Sequence, residues 1–197
     1  MENVFFLEED VKIVKGYLAC VDLLLQNRQG ASELDVQFLK EVSGDLSIDN
    51  CRNITSVNLT ALKEVGGYAS FNGTLAYSSI LDLSSLENVG IALNIGNNLL
   101  LPQVDLSSLI FAPGLFITGN PALTNVILTS AFTGINISLN DNALSAMSVD
   151  SILVAIDNAS QSNGNLDLSG GTNAQPSVVG LTAVASLQGR GWTVSHN

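Results

Sequence analysis

The chain has 197 residues, of which 13% are charged and 46% hydrophobic; the formal net charge is −11 and the mean hydropathy +0.35. That hydrophobic fraction can fill a core, which excludes a disordered chain. Six of the seven basic residues lie at or before Lys63, and the stretch from Glu64 to Gly189 holds eight acids and no Lys or Arg. Binding to nucleic acid or to an anionic membrane surface needs counter-charges that this distribution does not supply.

The chain opens with Met-Glu-Asn-Val-Phe-Phe-Leu-Glu-Glu-Asp. It has no basic n-region and no long apolar run, so no signal peptide is visible, and no segment anywhere approaches the ~18 apolar residues of a membrane span. The expectation is a protein soluble as made, with no membrane span. Within residues 1–10, Val4, Phe5, Phe6 and Leu7 form an apolar knot, read either as a cap over the open end of a repeat array or as an attachment arm for a partner.

Repeats follow. Val14-Lys-Gly-Tyr-Leu18-Ala-Cys20 aligns with Val42-Ser-Gly-Asp-Leu46-Ser-Ile48, with Gln26–Gly30 as a loop insertion. On that register Cys20 matches Ile48, roughly 10 Å along the strand direction from Cys51, and both cysteines are expected as free thiols. From Leu39 onward the pattern is regular. Leu39, Leu62, Leu86 and Leu109 each open a Leu-x-x-Val/Ala segment, and the strand pairs are Leu46/Ile48, Ala69/Phe71, Leu93/Ile95, Leu115/Ile117 and Ile137/Leu139. The best-formed coil is Leu93–Leu109: Leu93 and Ile95 point inward by strand alternation, and Leu101, Val104, Leu106 and Leu109 fill the interior from the opposite wall. Strands this short bury too little alone, so the coils must stack. Asn50, Asn97 or Asn98, Asn120 and Asn142 turn the chain at each strand's end and are expected to form an asparagine ladder. The second repeat departs from this, with Gly73 in place of Asn.

After Asn142 the spacing becomes helical. Val149–Ala159 reads as a helix with Ser148 or Asp150 as N-cap. Leu166-Asp-Leu168 reads as a strand, a second helix begins near Pro176 with Val179, Leu181, Val184 and Leu187 on its apolar face, and Trp192-Thr-Val194 forms a last strand with Trp192 plugging the final coil.

The phrase Leu-x-Ile-x-x-Asn-x-x-Leu-x-x-Val-x-Leu, at 93–106 and again at Leu115–Leu128, resembles leucine-rich repeat proteins, and the Gly-x-Leu-x-Ile and Gly-Asn-Pro-x-Leu phrases look like receptor L-domain repeats. The resemblance spans about residues 11–197. It implies an α/β solenoid: a leucine-rich-repeat-like right-handed coil, one parallel sheet face of about eight short strands, and helices mainly near the C-terminus. Residues 11–197 are then a single solenoid domain, with 148–197 as a helix-containing capping module. The tail phrases Leu166-Asp-Leu-Ser-Gly-Gly-Thr-Asn-Ala-Gln-Pro-Ser and Leu187-Gln-Gly-Arg-Gly-Trp-Thr-Val194 resemble the C-terminal module of leucine-rich proteins encoded by bacteria and bacteriophages. They imply a virion or cell-surface role.

No catalytic signature emerges. Asp45 and Asp49 fall on one strand face, about 13 Å apart by strand rise, too far for a glycosidase pair. Asp141 and Asp167 fall on different corners, and the central coils hold no basic residue to abstract a proton. His196 stands alone near the C-terminus and is expected to fray. Asn140-Asp-Asn142 reads as a turn rather than a calcium loop. The Asn-x-Ser/Thr sequons at Asn53, Asn58, Asn72, Asn136 and Asn158 are read as chance in so Asn-rich a chain. No cofactor or metal site is expected, and no enzyme.

The partner surface is expected on the outward strand positions Tyr68, Ser70, Asn94, Phe116, Thr118, Ser138 and Asn140, with Tyr68 and Phe116 as aromatic anchors. Val4–Leu7 is the candidate attachment segment. The functional expectation is a non-enzymatic structural or recognition protein: a bacteriophage virion component such as a head or tail fibre or decoration protein. The alternative is a bacterial cell-surface or secreted adhesion module binding protein or glycan. Expected partners are other virion or surface proteins and a host glycan or receptor, with side-by-side homo-oligomerisation as a further expectation.

Overall fold

The structure is a computed structural model, and it describes residues 4–6, 19–20, 22–26, 33–51, 53–54, 56–73 and 81–197. Its spine is a parallel nine-stranded sheet: β1 (Val4–Phe6), β2 (Asp22–Gln26), β3 (Leu46–Asp49), β4 (Tyr68–Asn72), β5 (Ala92–Gly96), β6 (Gly114–Thr118), β7 (Asn136–Ser138), β8 (Asn165–Leu168) and β9 (Thr193–His196), each hydrogen-bonded to the next. Between these strands the chain visits two further walls. One carries the short parallel pair Glu33–Asp35/Ser56–Asn58 and the trio Leu81–Asp82, Gln103–Leu106 and Asn125–Leu128. The other carries Ala19–Cys20, Glu41–Val42, Glu64–Val65 and Asn88–Val89. The coils are therefore three-walled, with strands on every wall rather than on one face alone.

The inward residues are the expected ones. Leu46/Ile48, Ala69/Phe71, Leu93/Ile95, Leu115/Ile117 and Ile137/Leu139 are all fully buried, as are Leu101, Val104, Leu106 and Leu109. They join one continuous core running the length of the array. Each coil lacks a core of its own and gains one only by stacking on its neighbours.

The first repeat differs from the sequence expectation. Leu23 and Leu25, not Leu18 and Cys20, pair with Leu46 and Ile48 in the main sheet. Ala19–Cys20 belongs to another wall, where Cys20 stands opposite Val42. Gln26 is the last residue of β2 rather than the start of a loop. Residues 27–32 and the side chain of Cys20 lie outside the described residues.

Among the described residues, the corners after β3, β5, β6 and β7 each use two adjacent positions with distinct work. The first adopts positive φ: Asn50, Gly73, Asn97, Gly119, Asp141 and Gly170 occupy it in successive coils. Asn, Asp and Gly are the residues that tolerate this conformation. The second is buried. Asn98, Asn120 and Asn142 fill it, and Asn173 has the same role further along. The backbone N–H of Asn98 donates to Asn120 Oδ1, and that of Asn120 to Asn142 Oδ1, both at 2.9 Å; Asn120 Nδ2 donates to the Ile95 carbonyl and Asn142 Nδ2 to that of Ile117. This is the asparagine ladder, and its rung is Asn98 rather than Asn97. Asn50 is not a rung, because it sits at the positive-φ position. The buried slot of its coil holds Cys51, whose Sγ lies 3.3 Å from the Leu25 carbonyl, just as the Asn98 amide reaches that of Phe71.

Two helices replace wall segments near the C-terminus. Helix α1 (Ala146–Asn158) begins earlier than expected, because Ser145 is the N-cap and accepts from the Ser148 N–H. Ser148 is instead buried, its hydroxyl accepting from the Val126 N–H at 3.0 Å and so tying the first helical turn to the preceding wall. Helix α2 (Val178–Gly189) is capped by Ser177. Its buried face is Gly180, Ala183, Val184 and Leu187, while Val179 and Leu181, expected inside, are exposed. Gly180 explains this. A β-carbon there would lie 3.1 Å from Leu153 Cδ1 and closer still to Asp150 and Pro176, so α2 packs its smallest side against α1. Trp192 closes the last coil with its ring over Gly164 and its Nε1 donating to the Gln161 carbonyl at 2.8 Å. His196 is not a frayed end; it pairs with Leu168 in the sheet. No helix among the described residues is long and apolar enough to cross a membrane.

Candidate binding face

Strand alternation sends one residue in two to the outer surface of the main sheet, and parallel in-register pairing lines these residues up in columns. One column reads Tyr68–Ala92–Gly114–Asn136, the next Ser70–Asn94–Phe116–Ser138, and Asn72–Gly96–Thr118 continues the pattern. Tyr68, Ser70, Asn94, Phe116, Thr118 and Ser138 thus share one face of adjacent strands, as the sequence places them, and Asn140 lies two residues past the end of β7. From Tyr68 to Asn140 no outward position on this sheet carries a charge.

Chemically the face divides in two. Its N-terminal part is saturated by its own contacts. Gln26 Nε2 donates to Ser47 Oγ, the Ser47 and Ser70 hydroxyls donate to Asp49, the Asn72 N–H donates to Asp49 Oδ1 at 2.8 Å, and Asn72 Nδ2 donates to Ser70 Oγ. Asp49 is therefore committed to joining its own coil to the next, and Gln26 extends the network to the preceding coil through Ser47. Asp45 is likewise bonded, accepting from the Tyr68 N–H at 2.8 Å. The two carboxylates that sequence spacing placed on one strand face are structural acceptors. In the middle part, by contrast, the side chains of Asn94, Thr118, Asn136, Ser138 and Asn140 make no hydrogen bond to other described residues, although they lie at the surface. Their amides and hydroxyls face water.

The two aromatics are placed differently. Tyr68 is 48% exposed. Phe116 is half-buried: its ring leans across Gly114, so that Cε2 and Cζ stand 2.5 and 3.0 Å from where a β-carbon on Gly114 would be, beside the buried Ala92. Gly114 is thus the residue that lets Phe116 lie down on the sheet. Tyr68, Ala92 and Gly114 are register partners, so the Tyr68 position and the Phe116 ring over Gly114 share one column, two strand spacings apart, about 10 Å.

An apolar ridge that sequence reasoning missed borders this face. Ile91, Ile110, Phe111 and Ile135 are each 42–45% exposed, and Ile91 and Ile135 immediately precede Ala92 and Asn136 of the sheet. The signal was available: Ile91 and Ile135 stand just before a main-sheet strand, where earlier coils carry Gly44 and Gly67, and Ile110-Phe111 stand where earlier coils carry the charged pairs Lys40-Glu41 and Lys63-Glu64. Of the candidate attachment segment Val4–Leu7, Val4–Phe6 forms β1, the strand that ends the sheet, and pairs with Asp22–Leu24; Leu7 lies outside the described residues. Among the described residues no three His, Cys, Asp or Glu side chains converge as metal ligands would. Asp141 and Asn142 of the Asn-Asp-Asn run serve the corner and the ladder.

Comparison of the chain with protein-family models, with curated proteins and with solved structures gives no match.

Proposed function

We propose that the chain is a non-enzymatic structural or recognition protein whose main sheet is its display surface, and that it serves as a bacteriophage virion component, a fibre or decoration protein built on a right-handed, leucine-rich-repeat-like coil. The observation that carries the display reading is the contrast along one sheet: a saturated polar region beside an uncharged region whose amides and hydroxyls have no partner among the described residues. Groups already bonded within the protein have little left to offer a partner, whereas groups held only by water are open to exchange that water for a ligand. The virion assignment is supported by the resemblance of Leu166–Ser177 and Leu187–Val194 to the terminal module of phage and bacterial leucine-rich proteins. On this reading β1, at the end of the sheet, is the attachment segment, and docking onto virion proteins or side-by-side association uses the ridge at Ile91, Ile110, Phe111 and Ile135.

The adhesion reading is favoured by the exposed Tyr68 ring and the polar strip beside it. Purified particles decide between the two. A virion component is found in them by mass spectrometry and oligomerises in solution. A monomer by light scattering that is absent from particles overturns the virion reading.

A further inference from the structure

We infer that the strip from Tyr68 to Ser138 is a binding site for an uncharged, extended polysaccharide chain lying along the solenoid axis. The inference rests on the reading of the main sheet as a recognition surface and names the chemistry of what that surface takes.

Three observations converge. First, the strip is neutral. Every outward position from Tyr68 through Asn140 is uncharged, while the charged outward residues Asp45 and Asp49 on one side and Asp167 on the other lie beyond it. A cationic partner would gain nothing in the centre, and an anionic one would meet only carboxylates at the ends. Second, the aromatic surfaces are spaced along the axis. Tyr68 and the Phe116 ring over Gly114 share one column with the flat, buried Ala92 between them. Their separation of about 10 Å, from two strand spacings, matches two units of an extended pyranose chain, so alternate sugars present the same face to a ring. The C–H face of a pyranose stacks on an aromatic ring as other apolar groups do. Third, Asn94 and Ser138 flank the rings in the neighbouring column, with side-chain groups that bond to no described residue. Amide and hydroxyl groups beside a ring suit sugar hydroxyls, which both donate and accept.

Calorimetric titration with cellohexaose and N-acetylchitohexaose tests this, with the compact helical maltohexaose and the anionic oligogalacturonate as comparisons. At least one of the two extended neutral chains binds, and both comparison sugars bind more weakly. Tyr68→Ala and Phe116→Ala each weaken binding about tenfold, the usual loss for an aromatic anchor. Because Phe116→Ala also exposes Gly114, Asn94→Asp provides a second variant: it leaves the core untouched and lowers affinity by placing a charge in the strip, while Phe38→Ala, at an exposed site off this face, changes nothing. Absence of binding to either extended chain by the folded protein overturns the inference, as does binding that all three strip variants leave intact, or loss of a protein partner in those variants without any sugar affinity. The particle assay stays independent. A chain present in particles but blind to glycans loses this inference alone, and a chain that binds glycans but is absent from particles loses only the virion reading.

Discussion

Asn120 uses both halves of its side-chain amide on backbone. Its Oδ1 accepts from the Asn98 N–H, and its Nδ2 donates to the carbonyls of Ile95 and Thr118, all within the buried corner. Truncation removes the partners of an N–H and of a carbonyl that water cannot reach. Asn120→Ala is therefore expected to cost about 2–4 kcal/mol, read as a lowered denaturation midpoint. Cys51→Asn supplies the residue used by the later coils and should leave the unfolding free energy within about 1 kcal/mol of the native value in the same titration. Much of the residue-scale picture was legible. Leu93 and Ile95 alternate with a polar residue, and a period of two has one reading. The choice between Asn97 and Asn98 was not legible, because two adjacent asparagines satisfy the same pattern and only the backbone conformation separates turn from rung. Cys51 was overlooked because a thiol does not look like an amide, although it follows Asn50 as Asn98 follows Asn97.

At the scale of elements, the two helices are held by polar clamps as much as by packing. Asp150 of α1 accepts from the Ser177 N–H at 2.9 Å and from its hydroxyl, fixing the start of α2. Arg190, the only cation after Lys63, closes the other end: its guanidinium donates to Asp157, to the Gln161 carbonyl and to Ser186. These are part-buried, charge-assisted bonds, so Arg190→Ala is expected to destabilise by about 2 kcal/mol. Faster amide exchange in α2 and in β9, with the early coils unaffected, would mark the loss as local. Helix existence was readable from the change of period after Asn142; which face of α2 points inward was not. Counting large apolar residues favours Val179 and Leu181, but the approach of α1 leaves room only for Gly180 and Ala183. The first repeat failed for a related reason. Val14–Cys20 reproduces the spacing of Val42–Ile48, and a local match of spacing carries no information about which wall it joins.

For the whole molecule, one core threads the coils from Leu23 to Trp192, so damage in the middle propagates. Leu93 is fully buried between β4 and β6. Leu93→Asp places an unpaired charge there and is expected to remove several kcal/mol, unfolding the central coils. A circular-dichroism melt identical to the native one would refute the inward register of that strand. The three-walled cross-section was only partly legible from the chain. The main-sheet pairs announce themselves by alternation, but the other walls carry strands of two to four residues, too short for any period to show.

The corner column has a further consequence. Its positive-φ positions run Asn50, Gly73, Asn97, Gly119, Asp141, Gly170, so that a side chain and a bare α-carbon alternate. The carboxamide of Asn50 lies over Gly73 and that of Asn97 over Gly119, each Oδ1 3.1 Å from where a β-carbon would stand; the Asp141 carboxylate lies over Gly170 in the same way. The array therefore has a hidden period of two coils. Excising residues 98–119 would set Asn97 beside Asp141 and crowd two side chains into a space that holds one, whereas excising 98–141 would bring Asn97 over Gly170 and keep the alternation. The shorter deletion should yield the less stable protein in a denaturant titration. By this geometry an array of this kind grows and shrinks in pairs of coils.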